Sequence, residues 1–337
     1  MRKLILKNHQ SPGDILMLTA AVRDLHACYP GQFLTDVRTS ASQLWDHNPF
    51  ITPLDEHDPD VSVIDCHYPL IHKSNLAPYH FVHAFSHYLN EQLDLHIKPT
   101  RHHGDIHLTS REKSWISQVH EMTGEDTPFW IVVSGGKYDY TVKWWECRRY
   151  QECIDHFAGR IQFVQVGELR HYQPPLRGVI DLRGRTDTRQ LVRLVYHSQG
   201  VLCGVTFLMH LAAAVEMKPG GTRNRPAVIV AGGREPTQWE AYPHHQYLHT
   251  VGALPCCKDG GCWRARTLPL GDGNEKDLPH HLCLDTVGKL PRCMHMITPQ
   301  DVIRRIEMYY EGGSLNYLTE RQAATARKVV LHGLEVM

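Results

Sequence analysis

Five of the ten cysteines lie within 38 residues near the carboxyl end of the chain, at Cys256, Cys257, Cys262, Cys283 and Cys293. Four thiolates from separate loops form the tetrahedral set that suits zinc or iron, and such a closed site is structural. Unlinked buried thiols are the alternative. However, the segment is rich in Gly, Asp and Pro and has too little apolar sequence for a core, so metal would supply its folding energy. We predict ligation by Cys257, Cys262, Cys283 and Cys293, with Cys256 as the alternative to its neighbour.

Asp14 is the first candidate for acid–base chemistry. It directly follows a short apolar run, Leu4-Ile5-Leu6, and the turn sequence Ser11-Pro12-Gly13. A carboxylate in that position lies at the carboxyl end of a predicted strand, where α/β sheets place ligands. Such a group acts as a general base if a substrate hydroxyl is within reach. Its simpler role is to cap the helix that follows, and the two roles are compatible.

Two lysines follow a glycine pair in the middle of the chain. Gly135 and Gly136 come directly after a predicted buried strand, and Lys137 and Lys143 follow them. A glycine pair lets the backbone approach a phosphate closely, and a positioned cation stabilises an anionic group. A lone lysine in a loop is usually only solvated. Two lysines that lead into a pair of tryptophans favour an anion-binding loop.

Three more side chains lie at predicted strand ends or helix starts. Glu168 follows a strand and is placed to accept a hydrogen bond from a ligand hydroxyl. Thr206 precedes a predicted helix, where its hydroxyl would either bind an anionic ligand or serve as the N-cap. His210 lies in the first turn of that helix. A packed or capping histidine is the commoner role there, and a ligand-binding role is the alternative.

The elements that position these residues follow a strand–helix alternation. A strand at 4–6, a helix at 15–29 and a strand at 33–37 form a βαβ unit, which implies a parallel sheet. Apolar runs predict further strands at 61–64, 129–133, 161–166, 179–182, 201–203 and 227–231. Helical periodicity and caps predict further helices at 79–95, 110–122 (with Ser110 as N-cap), 147–157, 187–197, 208–216, 298–310 (with Thr298 as N-cap) and 318–334.

Composition shifts divide the chain into four segments. Residues 1–124 and 125–254 form two similar α/β series, separated by a linker-like stretch at 123–128. Residues 255–297 form the cysteine-rich segment, and residues 298–337 form terminal helices. The predicted fold class is therefore α/β, with two Rossmann-like domains facing across a cleft and a metal-binding module.

Charge and hydropathy exclude several classes of protein. The 337 residues include 36 basic and 36 acidic side chains, so the formal net charge is zero. A balanced charge without a basic stripe argues against nucleic acid as a partner. No apolar run approaches about 18 residues, so no transmembrane segment is expected. The amino-terminal residues do not resemble a signal peptide. A cytoplasmic protein is the default expectation.

The order of these motifs resembles glycosyltransferase family 9, the ADP-heptose heptosyltransferases. The resemblance is to the branch that glycosylates autotransporter proteins and carries an iron-binding cysteine module. It covers nearly the whole chain through motifs in order: Ser11-Pro12-Gly13-Asp14 with the helix from Thr19, Val133-Ser134-Gly135-Gly136-Lys137 with Lys143-Trp144, Met209-His210-Leu211-Ala212-Ala213-Ala214, Gly261-Cys262-Trp263, Cys283, Pro291-Arg292-Cys293-Met294 and Ile297-Thr298-Pro299.

The resemblance implies a GT-B fold and an inverting transfer of a sugar, heptose from an ADP-activated donor, to a hydroxyl of a protein or glycoconjugate. It implies that Asp14 is the base and that Lys143 stabilises the diphosphate. It also implies a donor site that includes Thr206 on the diphosphate and Glu168 on a ribose hydroxyl, together with Gly135, Gly136, Lys137 and His210. It also implies that no catalytic divalent metal is needed, and it favours iron over zinc in the cysteine site. A homo-oligomer is compatible with it. In one respect the chain departs from the pattern, because Val205-Thr206-Phe207-Leu208 lacks the acidic residue and the glycine that the family usually has before this helix.

Two other functions remain open on the sequence. A nucleotide-sugar epimerase or hydrolase of the same architecture would need no acceptor other than water. A non-catalytic binding module built on the cysteine segment has Arg264 and Arg266 beside Trp263 as its only sequence support. The 25 histidines, including His80, His83 and His87 on one predicted helical face, indicate exposed titratable residues more than a metal site.

Overall fold

The computed structural model describes residues 1–335, with side chains given through residue 330. The chain divides into two compact units. The first contains Met1–Trp115 with two later segments, Ala213–Glu216 and Gln238–Tyr242, and the second contains the remainder. The divisions predicted after residues 124, 254 and 297 remain predictions. Residues 336–337 of the last predicted segment lie outside the described residues.

The first unit is built on the predicted βαβ sequence. Its strands and first helix are β1 (Arg2–Asn8), α1 (Pro12–Cys28), β2 (Phe33–Thr39) and β3 (Val61–Asp65). The three strands form a parallel sheet in the order β2-β1-β3. Leu4, Ile5 and Leu6 are completely buried, which explains why the short apolar run becomes the central strand. Since α1 begins at the carboxyl end of that strand, Asp14 lies where the sequence placed it.

The helix predicted at 79–95 is shorter than expected. A 3-10 turn covers Phe81–His83, and α2 (Ala84–Leu93) follows it. The helix ends because Asp94 adopts a left-handed conformation with φ of +53°. Asp is one of the few residues besides Gly that tolerates this region.

The single helix predicted at 110–122 is wrong, because the segment forms two short helices. These are α3 (Ser110–Lys113) and α4 (Gln118–Thr123). Thr109, rather than Ser110, is the N-cap: its Oγ1 accepts the N–H of Glu112 at 3.1 Å, and Glu112 Oε2 accepts the N–H of Thr109 at 2.8 Å. Ser117 then caps the second helix by accepting the N–H of His120 at 2.9 Å. Two capping side chains so close in sequence give each helix its own start.

The second unit contains a six-stranded, wholly parallel sheet. Its strands are β4 (Phe129–Val132), β5 (Gln162–Gln165), β6 (Ile180–Asp181), β7 (Gly200–Gly204), β8 (Ala227–Gly232) and β9 (Gln246–His249). The order in the sheet is β6-β5-β4-β7-β8-β9. The first five were predicted, whereas β9 was missed because it is only half-buried and lacks an apolar run. The predicted α/β class with parallel sheets is confirmed.

Helices lie between these strands and after them along the chain. They are α5 (Cys147–His156), α6 (Thr188–His197), α7 (Phe207–Ala214), α8 (Thr237–Glu240), α9 (Arg292–His295), α10 (Pro299–Glu311) and α11 (Glu320–Glu335). Thr298 caps α10 as predicted, since its Oγ1 accepts the N–H of Asp301 at 3.2 Å. Within the described chain no helix is both long enough and apolar enough to cross a membrane.

The core of the second unit joins its sheet to α10. Trp130 on β4 is completely buried, and its Nε1 donates to the hydroxyl of Tyr310 at 3.0 Å. Gly200 begins β7 beside it, and a Cβ there would lie 2.6 Å from the indole ring. The glycine is therefore required for the tryptophan to pack between the strand and the helix.

The cysteine segment is held mainly by turns and ion pairs. Its regular structure is limited to 3-10 turns, α9 and a two-stranded antiparallel hairpin, β10 (Thr286–Val287) and β11 (Leu290–Pro291). The buried Arg266 guanidinium donates to Asp272 at 2.7 Å and to Asp277 at 2.6 Å. A segment with few apolar residues thus uses a charged cluster where a larger domain would use a core.

Candidate functional site

Asp14 uses both oxygens of its carboxylate. Oδ2 accepts the N–H of Ser11 at 3.0 Å, which is the capping-box arrangement at the start of α1. Oδ1 accepts the hydroxyl of Tyr68 at 2.7 Å, and Tyr68 in turn accepts the side-chain amide of Gln10 at 3.2 Å. Asp14 therefore takes part in capping, but as the third helical residue that accepts the N–H of the N-cap Ser11, and not as the N-cap itself. The tyrosine bond fixes the other oxygen in addition.

Lys143 lies beside a carboxylate that the sequence analysis did not single out. Its Nζ is 2.5 Å from Oε1 of Glu235. Arg234 donates from Nη1 to that same oxygen. The side chain of Glu235 is 1% exposed, that of Arg234 10% and that of Lys143 24%. Two cations therefore share one buried carboxylate oxygen. We call Lys143, Arg234 and Glu235 the triad, and Lys143 is its most exposed member.

His210 lies close enough to this triad to be affected by its charges. The pKa of His210 is lowered to about 3, chiefly by burial and also by the charge of Lys143, while Glu235 acts in the opposite direction. The imidazole is therefore neutral in the folded protein at ordinary pH. A neutral, buried ring in the first half of α7 agrees with the packed role that the sequence favoured. A role in donor binding remains a prediction.

Thr206 directly precedes α7, at the end of the loop that follows β7. Its Oγ1 is buried and has no hydrogen-bond partner of good geometry among the described residues, although burial raises the pKa of the Cys203 thiol and an interaction with Thr206 acts in the opposite direction. A buried hydroxyl without a partner is uncommon, because it loses its bonds to water without replacing them. Since α7 also offers backbone N–H groups at this end, the position suits an acceptor group from a ligand.

The glycine pair is explained in part by packing. Gly136 donates its N–H to the carbonyl of Tyr172 at 2.9 Å and accepts the N–H of Tyr172 at 3.1 Å. A Cβ on Gly135 would lie 1.8 Å from that carbonyl oxygen. The N–H of Gly136 is thus already bonded to protein. Beside it, Trp144 stacks on Tyr172 with 4.2 Å between ring centroids, and its buried Nε1 has no described hydrogen-bond partner.

Glu168 and Lys137 lie on the side of this loop that faces solvent. Glu168 is exposed and pairs with Arg170, and this bond together with nearby positive charges lowers the pKa of Glu168. Lys137 is among those charges. The structure therefore brings Lys143, Thr206 and His210 into one region with Glu235 and Arg234, whereas Glu168 has an exposed ion pair of its own.

The five clustered cysteines line one pocket. Val142, Leu254, Leu284 and Pro291 contribute to the same lining. Burial, followed by the proximity of other thiols, raises the pKa of Cys256 to about 11 and that of Cys293 to about 12. Soft sulfur donors of this number suit iron or zinc by chemical type. Even so, within the described residues no three His, Cys, Asp or Glu side chains are arranged to hold a metal ion.

The cysteine pocket adjoins the triad through the end of β8. Cys262 donates its N–H to the carbonyl of Gly233 at 3.2 Å, and Trp263 donates to the carbonyl of Arg234 at 3.0 Å. A Cβ on Gly233 would lie 3.0 Å from Cys257 Sγ. The backbone that carries Arg234 and Glu235 is therefore fixed directly by the cysteine segment.

Arg234 and Glu235 were missed from the sequence. Gly232-Gly233-Arg234-Glu235 resembles an ordinary turn after a strand, and an adjacent Arg–Glu pair is typical of a solvated surface. The available signal was positional, because the dipeptide follows a buried strand, β8, at its carboxyl end.

The histidines of the first unit form no metal site among the described residues. His80 and His102 have ring centroids 4.4 Å apart, yet neither belongs to a group of side chains that could hold a metal ion in that part of the chain.

Comparison with solved structures shows the fold. The glycosyltransferase family 9 protein from Veillonella parvula DSM 2008 is 13% identical, with a TM-score of 0.59, and the match covers 91% of this chain and 96% of that one. The iron-containing dodecameric glycosyltransferase TibC from enterotoxigenic E. coli H10407 is 14% identical, with a TM-score of 0.62 and coverage of 92% and 76%. ADP-heptose LPS heptosyltransferase II from E. coli is 16% identical, with a TM-score of 0.55 and coverage of 94% and 100%.

These likenesses establish an α/β fold shared with heptosyltransferases of the GT-B class. One of the similar structures is TibC in complex with ADP-D-β-D-heptose. No protein-family model and no curated protein sequence matches the chain. The activity therefore has to be argued from the residues of the site.

The low pKa of His210 predicts a pH-dependent contribution to stability. Between about pH 6.5 and about pH 3 the unfolded chain binds a proton at this histidine that the folded chain does not. His210 therefore costs stability progressively as pH falls through that window and costs nothing above it. We expect His210→Gln to remove up to about 1.4 kcal/mol per pH unit from the acid-side slope of the unfolding free energy.

Chemical denaturation at pH 8, 6, 5 and 4 measures that slope. His57→Gln is the control for the loss of one imidazole, because the side chain of His57 is exposed. Equal slopes for wild type and His210→Gln would contradict the prediction.

Proposed function

We propose that the protein is an inverting glycosyltransferase that moves a sugar from a nucleoside diphosphate donor to a hydroxyl group of a protein or glycan. ADP-heptose is the favoured donor. The observation that carries the proposal is the cation pair Lys143 and Arg234 on the buried Glu235. The shared fold with heptosyltransferases over more than nine-tenths of the chain supports it.

The donor half of the reaction needs groups that stabilise a departing diphosphate. When the bond from the anomeric carbon to the phosphate oxygen breaks, negative charge develops on that oxygen. Lys143, the Thr206 hydroxyl and the N–H groups at the start of α7 are the donors that offset this charge in our scheme. The scheme needs no catalytic divalent ion, since fixed protein groups supply the positive potential. Gly135, Gly136, Lys137, Glu168 and His210 remain proposed contributors to donor binding.

The acceptor half needs a base. In a single displacement, the acceptor oxygen forms a bond to the anomeric carbon while its proton passes to a carboxylate. We assign that proton to Asp14, whose position at the carboxyl end of β1 suits a ligand-facing group. Tyr68 and the N–H of Ser11 hold the carboxylate in place. Held in this way, the base needs no rearrangement at the moment of reaction.

We also propose that the cysteine segment binds one structural metal ion, with iron favoured. Cys257, Cys262, Cys283 and Cys293 would hold it, and Cys256 is the alternative to Cys257. The support is the convergence of five thiols on one pocket and the iron content of TibC. The ion would crosslink loops that have little apolar core, and no chemical step passes through it.

A panel of nucleoside diphosphate sugars tests the donor. We expect ADP-heptose to raise the thermal unfolding midpoint of the protein more than UDP-, GDP- or CDP-sugars, because ligand binding to the folded state alone stabilises it. Consumption of the donor in buffer without an acceptor would instead indicate a hydrolase or epimerase. If no nucleotide sugar changes the midpoint, the proposed function is wrong.

Replacement of Asp14 separates catalysis from helix capping. Asp14→Asn should bind the donor with unchanged affinity but lower kcat by at least about 100-fold, because general-base catalysis contributes roughly that much. Asp301→Asn is a matched control, because Asp301 occupies the same capping-box position at the start of α10. If both variants lose a little stability and both keep the wild-type kcat, Asp14 only caps its helix.

Metal content tests the cysteine site. Elemental analysis of the purified protein should find close to one iron or zinc ion per chain. Cys262→Ser should lose that metal and lower the unfolding midpoint, because the segment would lose its crosslink. Cys28→Ser, which changes a cysteine outside the cluster, should keep the metal. A metal-free protein that unfolds at the wild-type temperature would rule out the site.

A further inference from the structure

Glu235 is placed unusually for a carboxylate in an anion-binding region. Its side chain is almost completely buried, and one oxygen, Oε1, takes both cations of the triad. The other oxygen, Oε2, is buried without a hydrogen-bond partner among the described residues. A carboxylate that served only to stabilise the fold would be expected to bond through both oxygens, since an unsatisfied buried oxygen costs free energy.

The charges around Glu235 do not balance. Two cations face one carboxylate within the triad. A third, Lys276, lies 5.5 Å from the centroid of the Tyr140 ring, which Arg234 and Lys143 also approach, at 4.7 Å and 5.6 Å. Burial alone would raise the pKa of Glu235, but Arg234 and Lys143 outweigh burial and lower it. Two cations thus face one ionised carboxylate in direct contact.

The two cations of the triad differ in how firmly they are fixed. Arg234 lies between the rings of Tyr140 and Trp263, at 4.7 Å and 5.1 Å from their centroids. Its Nε also donates to the carbonyl of Arg264 at 2.7 Å. Lys143 is attached through a flexible stem and remains partly exposed. Lys143 is therefore the member of the pair that an incoming anion reaches, and Arg234 is the one that stays with Glu235.

We propose that Glu235 is the internal counter-ion of the diphosphate site. In the ligand-free protein it holds Lys143 next to Arg234. When a diphosphate binds, the phosphate takes over Lys143 while Arg234 stays paired. Glu235 is a positioning residue in this scheme, and it competes with the ligand for one cation. The inference rests on the proposed function, because it assumes that the anion at Lys143 is a diphosphate.

The competition predicts that removing the carboxylate tightens anion binding. In Glu235→Gln, both cations lose their counter-ion, and the repulsion between carboxylate and phosphate disappears. We expect the free variant to unfold at a lower temperature than wild type. We also expect it to bind inorganic pyrophosphate and ADP at least about fivefold more tightly, the lower end of typical coupling between sites. A purely structural role would lower stability without any gain in affinity.

Calorimetric titration of wild type and variants with pyrophosphate and ADP measures this effect. Lys143→Met should bind both ligands more weakly than wild type. Glu235→Gln should give a smaller gain in the Lys143→Met background than in wild type, because Lys143 is one of the two cations that the loss of Glu235 releases. If Glu235→Gln does not fold, Glu235→Asp replaces it, since the shorter side chain cannot span both cations and should also tighten binding.

The outcomes separate the two hypotheses. If wild type binds ADP but neither variant at Glu235 binds pyrophosphate or ADP more tightly, the counter-ion inference is wrong and the proposed function stands. If neither wild type nor any variant binds pyrophosphate, ADP or ADP-heptose, the proposed function fails and the inference falls with it. Tighter binding by the variants at Glu235, with a smaller gain in the Lys143→Met background, supports the inference.

Discussion

The cysteine segment packs directly on the end of β8 and so holds the backbone that carries Arg234 and Glu235. Gly232 has φ of +66°, and a Cβ there would lie 2.4 Å from Met294 Sδ. Gly233 next to it is similarly crowded by Cys257. The two glycines let the segment lie directly on the strand, and the strand then continues into Arg234 and Glu235. The backbone of the candidate donor site is therefore only as well fixed as the segment that packs on it.

The cysteine segment also supports Lys143, although the two are far apart in sequence. The segment has little apolar surface, so it depends on ion pairs such as Arg266 with Asp272 and Asp277 and, in our proposal, on a metal. The loop that carries Lys143 is tied to the same segment, because Thr267 donates its N–H to Thr141 Oγ1 at 2.8 Å. Loss of the segment would thus disturb both halves of the Lys143–Glu235 pair.

Local signals in the sequence predicted most of the strands and helices, but they did not predict the charged site around Glu235. The strand at Leu4-Ile5-Leu6 and the cap at Thr298 were predictable because apolar runs and capping residues act over a few positions. The break in the helix at 110–122 was not predictable in this way. Thr109 and Ser117 each begin a separate helix, and the apolar pattern does not show that a second helix begins at Ser117. Glu235 was missed for a different reason: its partner Lys143 is 92 positions away in sequence, and only the sheet brings the two together.

The same reasoning explains why Asp14 and Asp301 look alike in sequence and differ in structure. Each is the third residue of a helix and accepts the N–H of its N-cap residue. In Asp301, Oδ2 accepts both the N–H and the hydroxyl of Thr298, each at 2.7 Å, so the cap itself supplies both bonds. In Asp14 the two oxygens have different partners: Oδ2 accepts the N–H of the N-cap Ser11, and Oδ1 accepts the hydroxyl of Tyr68 from a distant segment. A tertiary bond to the second oxygen gives that oxygen a fixed direction that capping does not need, and this is the physical ground for treating Asp14 as more than a cap.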